Sequence, residues 1–346
     1  MCMYSADGDG FVTDFHVLHY GQFAVRGAGL IMVEATGVVE EGRLTPQCLG
    51  IWKDAHIDGL RCIVDFAHRY GATAGIQLSH SGRLGSSIPL DQYQDNMPCT
   101  SDKKAGGWPD KVYAPSSISF SGQFWTPQEL SLDQIEAVQK AFVSAAIRAD
   151  KAGFDVIDIH AAYGNLLNQF LSPLSNIRTD KYGGSFENRT RMLMETIRRV
   201  IQVWPKEKPL FVSVSALEGA EQGWKFQETL VLVKMLVNDG VDLCEISQGG
   251  NIANAELRMD PESRKDVVGR VKRETPGLLV GAVGLICNGI QANDLLENNF
   301  ADAVFSARQF IRNPSFVLSA AHDLGTSIKW PKQYECARVK TKYSFF

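Results

Sequence analysis

Residues 155–184 read DVIDIHAAYGNLLNQFLSPLSNIRTDKYGG. The segment begins with a short apolar, β-branched run at 155–161 and continues into a polar loop rich in Asn, Ser, Arg and Gly. Such near-continuous apolar runs are typical of strands in a parallel sheet that is covered on its faces. We therefore expect a strand at 155–161, with His160, Tyr163 and Asn165 at and beyond its carboxyl end.

Six further runs of this kind occur along the chain, separated by loops and by segments of helical period. They are LIMVEA (30–35), AGIQLSH (74–80), PLFVSVSA (209–216), LCEIS (243–247), LLVGAVG (278–284) and AVFSAR (303–308). Strands that alternate with helices predict an α/β fold, and the closest architecture is the (β/α)8 TIM barrel, with its first strand apparently missing from this chain. No linker, low-complexity segment or repeat divides the sequence, so we expect a single domain over residues 1–346.

The connecting segments are predicted as helices and one long loop. Ser131 can cap a helix that Gly153 ends, and a second helix is expected at roughly 186–203. The irregular stretch at about 84–127, which contains several prolines and glycines, is predicted as a loop insertion. Long loops that follow a barrel strand are usually lids or binding loops.

Composition narrows the class of partner. The 346 residues carry a formal charge of −4, which gives no electrostatic footprint for nucleic acid or for an anionic membrane. Seven scattered cysteines without a CxxC pair predict reduced thiols, with neither a disulfide framework nor a metal site. No apolar run is long enough for a membrane span, and the N-terminus lacks signal-peptide features. We expect a soluble, cytoplasmic protein that acts on small molecules.

The strand ends indicate what chemistry is available. In a barrel the active site forms where strands end, and those positions hold Gln77, His80, His160, Tyr163, Ser213, Gly284 and Arg308. Glu34, Asp158 and Glu245 lie inside strands, where a second partner is hard to place, so the carboxylate pair of a glycoside hydrolase is not evident. No lysine ends a strand, which disfavours a Schiff-base mechanism. The site therefore needs a cofactor.

The last two strands suggest a phosphate site. Gly284 and the pair Ala307 and Arg308 follow strands at the usual phosphate-binding corner of the barrel. A glycine lets backbone amides approach a phosphate, and an arginine supplies charge and a fork of donors. The alternative is that Arg308 forms an ordinary surface ion pair.

Several motifs of the sequence resemble those of one enzyme family. MCMYS, VEATGVVEEGR, GIQLSHSGR, HAAYGNLLNQFLSPLSNIRTDKYGGSFENR and GAVG with ARQFIRNP resemble the Old Yellow Enzyme family, in particular its bacterial-type NADPH dehydrogenase branch with a cysteine near the flavin. The resemblance covers residue 1 to about 335. It implies a barrel that holds FMN, takes hydride from NADPH or NADH, and reduces an activated alkene.

The resemblance also implies roles for individual residues. The cofactor-binding residues would be Cys2, Ala35, Gln77, Ser213, Gly284, Ala307 and Arg308. The substrate-binding residues would be Tyr4, His160, Tyr163 and Asn165, and among them His160 and Tyr163 would be catalytic. Donors at the substrate carbonyl oxygen stabilise the enolate charge that develops as hydride arrives. His160 is expected to be such a donor.

Four residues depart from the family pattern. Tyr163 stands where a second His or Asn donor is usual, and a phenol can still donate. Asn165 stands where the family has its proton-donating tyrosine, and an amide is not an acid at neutral pH. Ser213 replaces an arginine beside the flavin, which should lower the flavin's reduction potential. Ala307 replaces a glycine at the phosphate, which is tolerated if its φ is negative.

The family's members also have about two dozen residues before the MCMYS motif, including the first strand. An open seam in the barrel is therefore expected.

Two hypotheses follow. The first is an FMN-dependent NAD(P)H oxidoreductase that reduces, isomerises or desaturates an α,β-unsaturated carbonyl compound, in a specialised biosynthetic pathway. The second is a truncated or non-catalytic barrel that has lost flavin binding. Neither nucleic acid nor membrane is an expected partner, and a homo-oligomer stays open.

Overall fold

A seven-stranded parallel sheet organises the computed structural model, which describes residues 1–94, 97–258 and 260–338. The strands are β1 (Leu30–Gly37), β2 (Thr73–Ser79), β3 (Tyr113–Ala114), β4 (Gln128–Glu129), β5 (Val156–Ala161), β6 (Leu210–Ser215), β7 (Leu243–Ser247), β8 (Leu279–Val283) and β9 (Ala303–Phe305). The large sheet has the order β1-β2-β5-β6-β7-β8-β9, and β3 pairs separately with β4. All seven predicted strands are confirmed.

Helices connect the strands. They are α1 (Asp14–Val25), α2 (Ile57–Arg69), α3 (Leu132–Ala152), α4 (Leu166–Leu171), α5 (Phe186–Ile201), α6 (Phe226–Asn238), α7 (Pro261–Glu274), α8 (Gly289–Glu297), α9 (Arg308–Arg312) and α10 (Phe316–Asp323). The caps of α3 are those predicted. The Ser131 hydroxyl accepts from the amide of Gln134 at 3.2 Å, and Gly153 ends the helix at φ +94°. None of the described helices is long and apolar enough to cross a membrane.

The sheet curls until its two edges share one hydrophobic cluster. Val156, Phe211 and Leu243 form the centre of this cluster inside the sheet. Side chains from β1 and from β9, at opposite edges, pack against it: Leu30, Met32, Ala303 and Phe305. A flat seven-stranded sheet would hold its edges far apart, because neighbouring strands are about 4.8 Å apart. The barrel prediction is therefore confirmed, with seven strands among the described residues and no described pairing between β1 and β9.

The insertion at 84–127 is anchored to the carboxyl ends of the strands. Its residues 95 and 96 lie outside the described part of the chain. The buried Arg178, from the loop after α4, donates to the carbonyl oxygens of Pro115 at 2.9 Å and Leu130 at 2.6 Å. The amide of Ile177 donates to the Ser116 hydroxyl at 3.1 Å. The polar loop that opened the sequence analysis thus fastens the insertion to the barrel.

Candidate active site

The inside of the barrel has an apolar floor and a polar layer above it. The floor is the cluster that contains Val156, Phe211 and Leu243. Since alternate residues of a strand share a face, the next inward positions toward the carboxyl ends are polar. They are Gln77 on β2, Asp158 on β5, Ser213 on β6 and Glu245 on β7. Chemistry is therefore concentrated at the strand ends, as in other barrels.

His160 lies near the end of β5 and offers one ring nitrogen to the barrel opening. Its Nδ1 lies 2.7 Å from the hydroxyl oxygen of Ser213, which is fully buried. Burial lowers the pKa of His160 from 6.5 to about 3, so the ring is neutral at physiological pH. Among the described residues Nε2 has no hydrogen-bond partner, and it is not sealed from solvent. His160 thus lies near the strand end, as predicted, with Nε2 accessible, and its contact with substrate stays a prediction.

Tyr163 lies beside His160 at the opening, where 36% of its surface is exposed. The two ring centroids are 6.2 Å apart. Tyr163 has φ +53°, and its amide donates to the Ser215 hydroxyl at 2.9 Å. A Cβ on Gly164 would lie 2.4 Å from the carbonyl oxygen of Gly250, so only a glycine allows this approach. The loop after β7 therefore fixes the backbone that carries the phenol.

Asn165 is engaged at both ends of its amide. Its Oδ1 accepts from the Ser79 hydroxyl at 3.1 Å, and its Nδ2 donates to the carbonyl oxygen of Ala162 at 3.1 Å. It also stands at the N-cap position of α4. These contacts give Asn165 a defined structural role in the loop, whereas its predicted substrate contact stays a prediction.

Asp158 and Glu245 form a carboxyl pair that the sequence analysis did not recognise. Asp158 is 1% exposed; its Oδ2 accepts from Gln77 Nε2 at 2.7 Å, and its Oδ1 has no partner within hydrogen-bonding geometry. Burial raises the pKa of Asp158 from 3.8 to about 6, while Gln77 and the hydroxyl and amide of Ser213 lower it. Burial and the charge of Asp158 raise the pKa of Glu245 from 4.5 to about 8. From sequence a partner for either carboxyl is hard to place, and in the structure Glu245 lies within electrostatic reach of Asp158.

The N-terminal segment lies along β1. The amide of Met3 donates to Glu34 Oε2 at 2.8 Å, and the buried Glu34 also accepts from the Tyr20 hydroxyl at 3.1 Å. The thiol of Cys2 shares a hydrogen bond with Cys48, and this bond and burial raise its pKa. Tyr4 is half-buried at φ +53°, and burial raises its pKa as well. The segment that carries Cys2 and Tyr4 thus lies along the strand that carries Ala35, and the flavin and substrate contacts implied for these residues stay predictions.

The corner formed by β8, β9 and α9 fits a phosphate. Gly284 has φ +91°, Ala307 has φ −106°, and Arg308 begins α9 with an exposed side chain. The negative φ meets the condition for an alanine at 307. Arg308 makes no ion pair or side-chain hydrogen bond with any other residue that the structure describes, so the surface ion pair considered as the alternative is not found there. The guanidinium is available for an anion.

Arg264 is a second cation at this corner, and sequence reasoning missed it because it lies on α7 and not at a strand end. A Cβ on Gly284 would lie 3.5 Å from Arg264 Cζ, and Arg264 is only 7% exposed. Arg264 also interacts with the Tyr163 phenol. Burial raises the pKa of Tyr163, and Arg264 lowers it by its charge and by a side-chain hydrogen bond. Gly284, Arg264 and Arg308 therefore suit the phosphate of FMN. The polar layer described above, Gln77, Asp158, Ser213 and Glu245, contains two carboxyl groups and no cation. No positive charge in that layer therefore replaces the arginine that the family has at the position of Ser213.

The chain is similar to a known family and to known proteins over most of its length. The model of the NADH:flavin oxidoreductase / NADH oxidase family matches residues 1–327. The chain is 43% identical to an NADPH dehydrogenase of Bacillus pumilus over 338 residues, which are 97% of this chain and 93% of the relative.

Two solved structures are similar as well. Morphinone reductase has a TM-score of 0.75 at 26% identity, covering 96% of this chain and 86% of that one. The Old Yellow Enzyme homologue from Zymomonas mobilis has a TM-score of 0.74 at 25% identity, covering 99% and 93%.

The family model, the relative and the solved structures agree over nearly the whole chain. The chain belongs to the Old Yellow Enzyme family of NADH:flavin oxidoreductases, and it is an NADPH dehydrogenase-type enzyme that uses FMN and NAD(P)H.

Proposed function

We propose that the enzyme reduces the carbon–carbon double bond of an α,β-unsaturated carbonyl compound. The observation that carries this proposal is the state of His160: a neutral ring, held at Nδ1 by Ser213, with Nε2 open to the barrel. A preorganised donor at a carbonyl oxygen is worth most where charge develops on that oxygen during reaction. Reduction of a conjugated alkene places enolate charge there.

FMN, when bound, supplies the hydride for the β-carbon after it has been reduced by NAD(P)H. Gly284, Arg264 and Arg308 would hold its phosphate. Gln77, Ala35 and Cys2 would line its ring, together with the uncharged Ser213. Because Gln77 is already tied to Asp158 at 2.7 Å, its amide is held in one orientation before any ligand arrives.

The remaining residues of the opening bind and orient the substrate. Tyr163 adds a second donor, and its backbone is fixed by Ser215 and Gly250. Tyr4 would shape the pocket from the side of β1. The amide at Asn165 supplies no acid, which supports a specialised substrate, as in a biosynthetic pathway, where isomerisation or desaturation is an alternative outcome. We also propose a cytoplasmic location.

The test begins with the absorption spectrum of the purified protein before and after FMN, and then NADPH, are added without oxygen. We expect a flavin band that NADPH bleaches and that a cyclic enone restores. In His160→Ala the restoration should slow about 100-fold, because one donor to the oxyanion is lost, while bleaching by NADPH keeps its rate. Protein that binds no FMN would support the non-catalytic barrel instead. Equal restoration rates in the two proteins would overturn the role of His160.

A further inference from the structure

Glu34 is a charged residue that the proposed function does not use, although it lies almost completely buried on β1. It is 2% exposed, and its carboxylate accepts from the amide of Met3 at 2.8 Å. Resting on the proposed function, we propose that Glu34 is a positioning residue: by holding Met3, it places the next residue, Tyr4, in the substrate pocket. Glu34 acts through Met3 and is not itself a contact of substrate or flavin.

The hydrogen-bond donors to the carboxylate come from segments that precede β1. Oε2 accepts from Met3, and Oε1 accepts from the hydroxyl of Tyr20, on α1, at 3.1 Å. The same hydroxyl accepts from the amide of Glu34 at 3.0 Å, and its single proton is committed to Oε1. The side chain of Glu34 is therefore held in one orientation, with Oε2 turned to the N-terminal segment.

Glu34 lacks a counter-ion. Among the residues that the structure describes, no lysine or arginine lies within ion-pair distance of its carboxylate. His16 Nε2 lies 3.7 Å from Oε1, but burial lowers the pKa of His16 from 6.5 to about 4, so this ring is neutral at physiological pH. A buried charge without a counter-ion contributes little to stability, and the best-attested use of such a group is to fix one arrangement of its neighbours.

The N-terminal segment depends on Glu34 because it has few other anchors. Residues 1–5 form no helix or strand. Of the peptide N–H groups of residues 2–5, only that of Met3 has a hydrogen-bond acceptor in the described part of the chain, and the acceptor is Glu34. The next amide to be held is that of Ala6, which donates to the carbonyl oxygen of Gln47 at 2.9 Å. Loss of the carboxylate would therefore release the backbone on the N-terminal side of Ala6.

Tyr4 stands in a turn that this anchor fixes. Its φ is +53°, in the left-handed region that residues other than glycine rarely adopt. On one side Met3 is held at its amide by Glu34, and the carbonyl oxygen of Met3 accepts from the Ser5 hydroxyl at 2.9 Å. On the other side the carbonyl oxygen of Ser5 accepts from the Thr13 hydroxyl at 2.9 Å. Two held residues thus flank Tyr4, and Glu34 holds the first of them.

Glu34→Leu removes the anchor and keeps a side chain of similar size. Replacing a buried charge with an apolar side chain is often neutral for stability, so we expect the barrel to fold. Tyr20→Phe is the matched control, because it removes the other hydrogen bond to the same carboxylate and leaves the bond to Met3. Where Glu34→Leu does not fold, Glu34→Gln takes its place. One amide oxygen cannot accept from both Met3 and Tyr20, so the same changes should appear at smaller size.

The first measurement follows the Met3 amide by NMR in purified protein labelled with 15N-methionine, with FMN added. Its signal is assigned by its loss in Met3→Leu. We expect this amide to exchange with solvent at least about tenfold faster in Glu34→Leu than in the wild type, and within about twofold of the wild type in Tyr20→Phe. Equal exchange in Glu34→Leu and the wild type would overturn the proposal, and so would equal acceleration in the two variants.

Kinetics connect the anchor to Tyr4 and separate this proposal from the proposed function. Glu34→Leu and Tyr4→Ala should each raise the half-saturating concentration of a cyclic enone by about fivefold or more, which corresponds to one lost contact. Turnover at saturation should stay within about twofold of the wild type. The double variant should show the loss of one variant and not the product of the two.

Two outcomes decide against the role of Glu34 alone: losses that multiply in the double variant, or a wild-type half-saturating concentration in either single variant. A protein that reduces no enone, while its Met3 amide responds to Glu34→Leu as expected, would overturn the proposed function and support the anchor.

Discussion

Removal of Arg308 should weaken FMN binding without changing the fold. Arg308 is exposed at the start of α9 and has no ion-pair or side-chain hydrogen-bond partner among the described residues. Truncating it therefore leaves no buried group unsatisfied, and the free energy of unfolding of the flavin-free protein should change by no more than about 0.5 kcal/mol. What is lost is a cation next to Gly284 and Ala307.

The size of the effect follows from the contact that would be removed. A hydrogen bond to a charged group contributes about 1.5–3 kcal/mol. This corresponds to an increase of about 10-fold to 150-fold in the dissociation constant of FMN for Arg308→Ala. Arg264 remains at the corner, 3.5 Å from the Cβ position of Gly284, so binding should be weakened and not abolished. Because the contact is exposed, the salt dependence of binding should also decrease.

Titration of flavin-free protein with FMN, followed by flavin fluorescence, measures this constant. Arg312→Ala is the matched control, because Arg312 is an exposed arginine on the same helix whose side chain donates, among the described residues, to Gln309 Oε1 alone. It should bind FMN as the wild type does. Equal affinities for Arg308→Ala and the wild type, or equal losses in the two variants, would refute the assignment of this corner to the phosphate.

Three further predictions concern the site and the loop that supports it. Asn165→Tyr should raise turnover on a simple cyclic enone by about 100-fold by supplying an acid, at a cost of about 1 kcal/mol of stability because Ser79 loses its acceptor; unchanged turnover with FMN bound would count against the missing acid. Arg178→Met should lower the free energy of unfolding in urea by about 3–5 kcal/mol, since Asp180 and two carbonyl oxygens lose a buried cation; a loss below about 1 kcal/mol would contradict this. Burial raises the pKa of Asp158 from 3.8 to about 6. Between these two pH values the native chain therefore holds a proton that the unfolded chain has released, so the free energy of unfolding falls as pH rises through this range. Asp158→Asn should therefore gain up to about 3 kcal/mol relative to the wild type between pH 4 and pH 7 in urea unfolding, and a gain that is the same at both pH values would argue against a buried titrating carboxyl.

The strands and the position of the site could be predicted from sequence because they depend on local composition. A strand that is buried on both faces needs apolar residues at successive positions, and LCEIS marks β7 at the residues where it is found, Leu243–Ser247. His160 follows from the same reasoning, since the carboxyl ends of parallel strands meet at one end of the barrel.

The contacts between strands could not be predicted, because they depend on register. Ser213 and His160 are 53 residues apart, and the register that pairs them leaves no trace in either segment. The electrostatic contact between Asp158 and Glu245 also depends on register and could not be predicted, although each is the third residue of its strand. Arg264 had no signal at all, since an arginine in the first turns of an amphipathic helix resembles any solvent-facing residue.

The approach of Gly164 to Gly250 has a mechanical consequence. A Cβ on Gly164 would lie 2.4 Å from the carbonyl oxygen of Gly250. The loops after β5 and β7 therefore touch backbone to backbone, with no side-chain atoms between them. Asn251, next in the chain, is bound by Arg83 from the loop after β2 and donates to Glu218 at 2.6 Å. The four loops after β2, β5, β6 and β7 therefore form one rigid collar around the opening. Any widening that admits a bulky substrate must displace Tyr163 together with the whole collar, so a single loop cannot act as an independent gate.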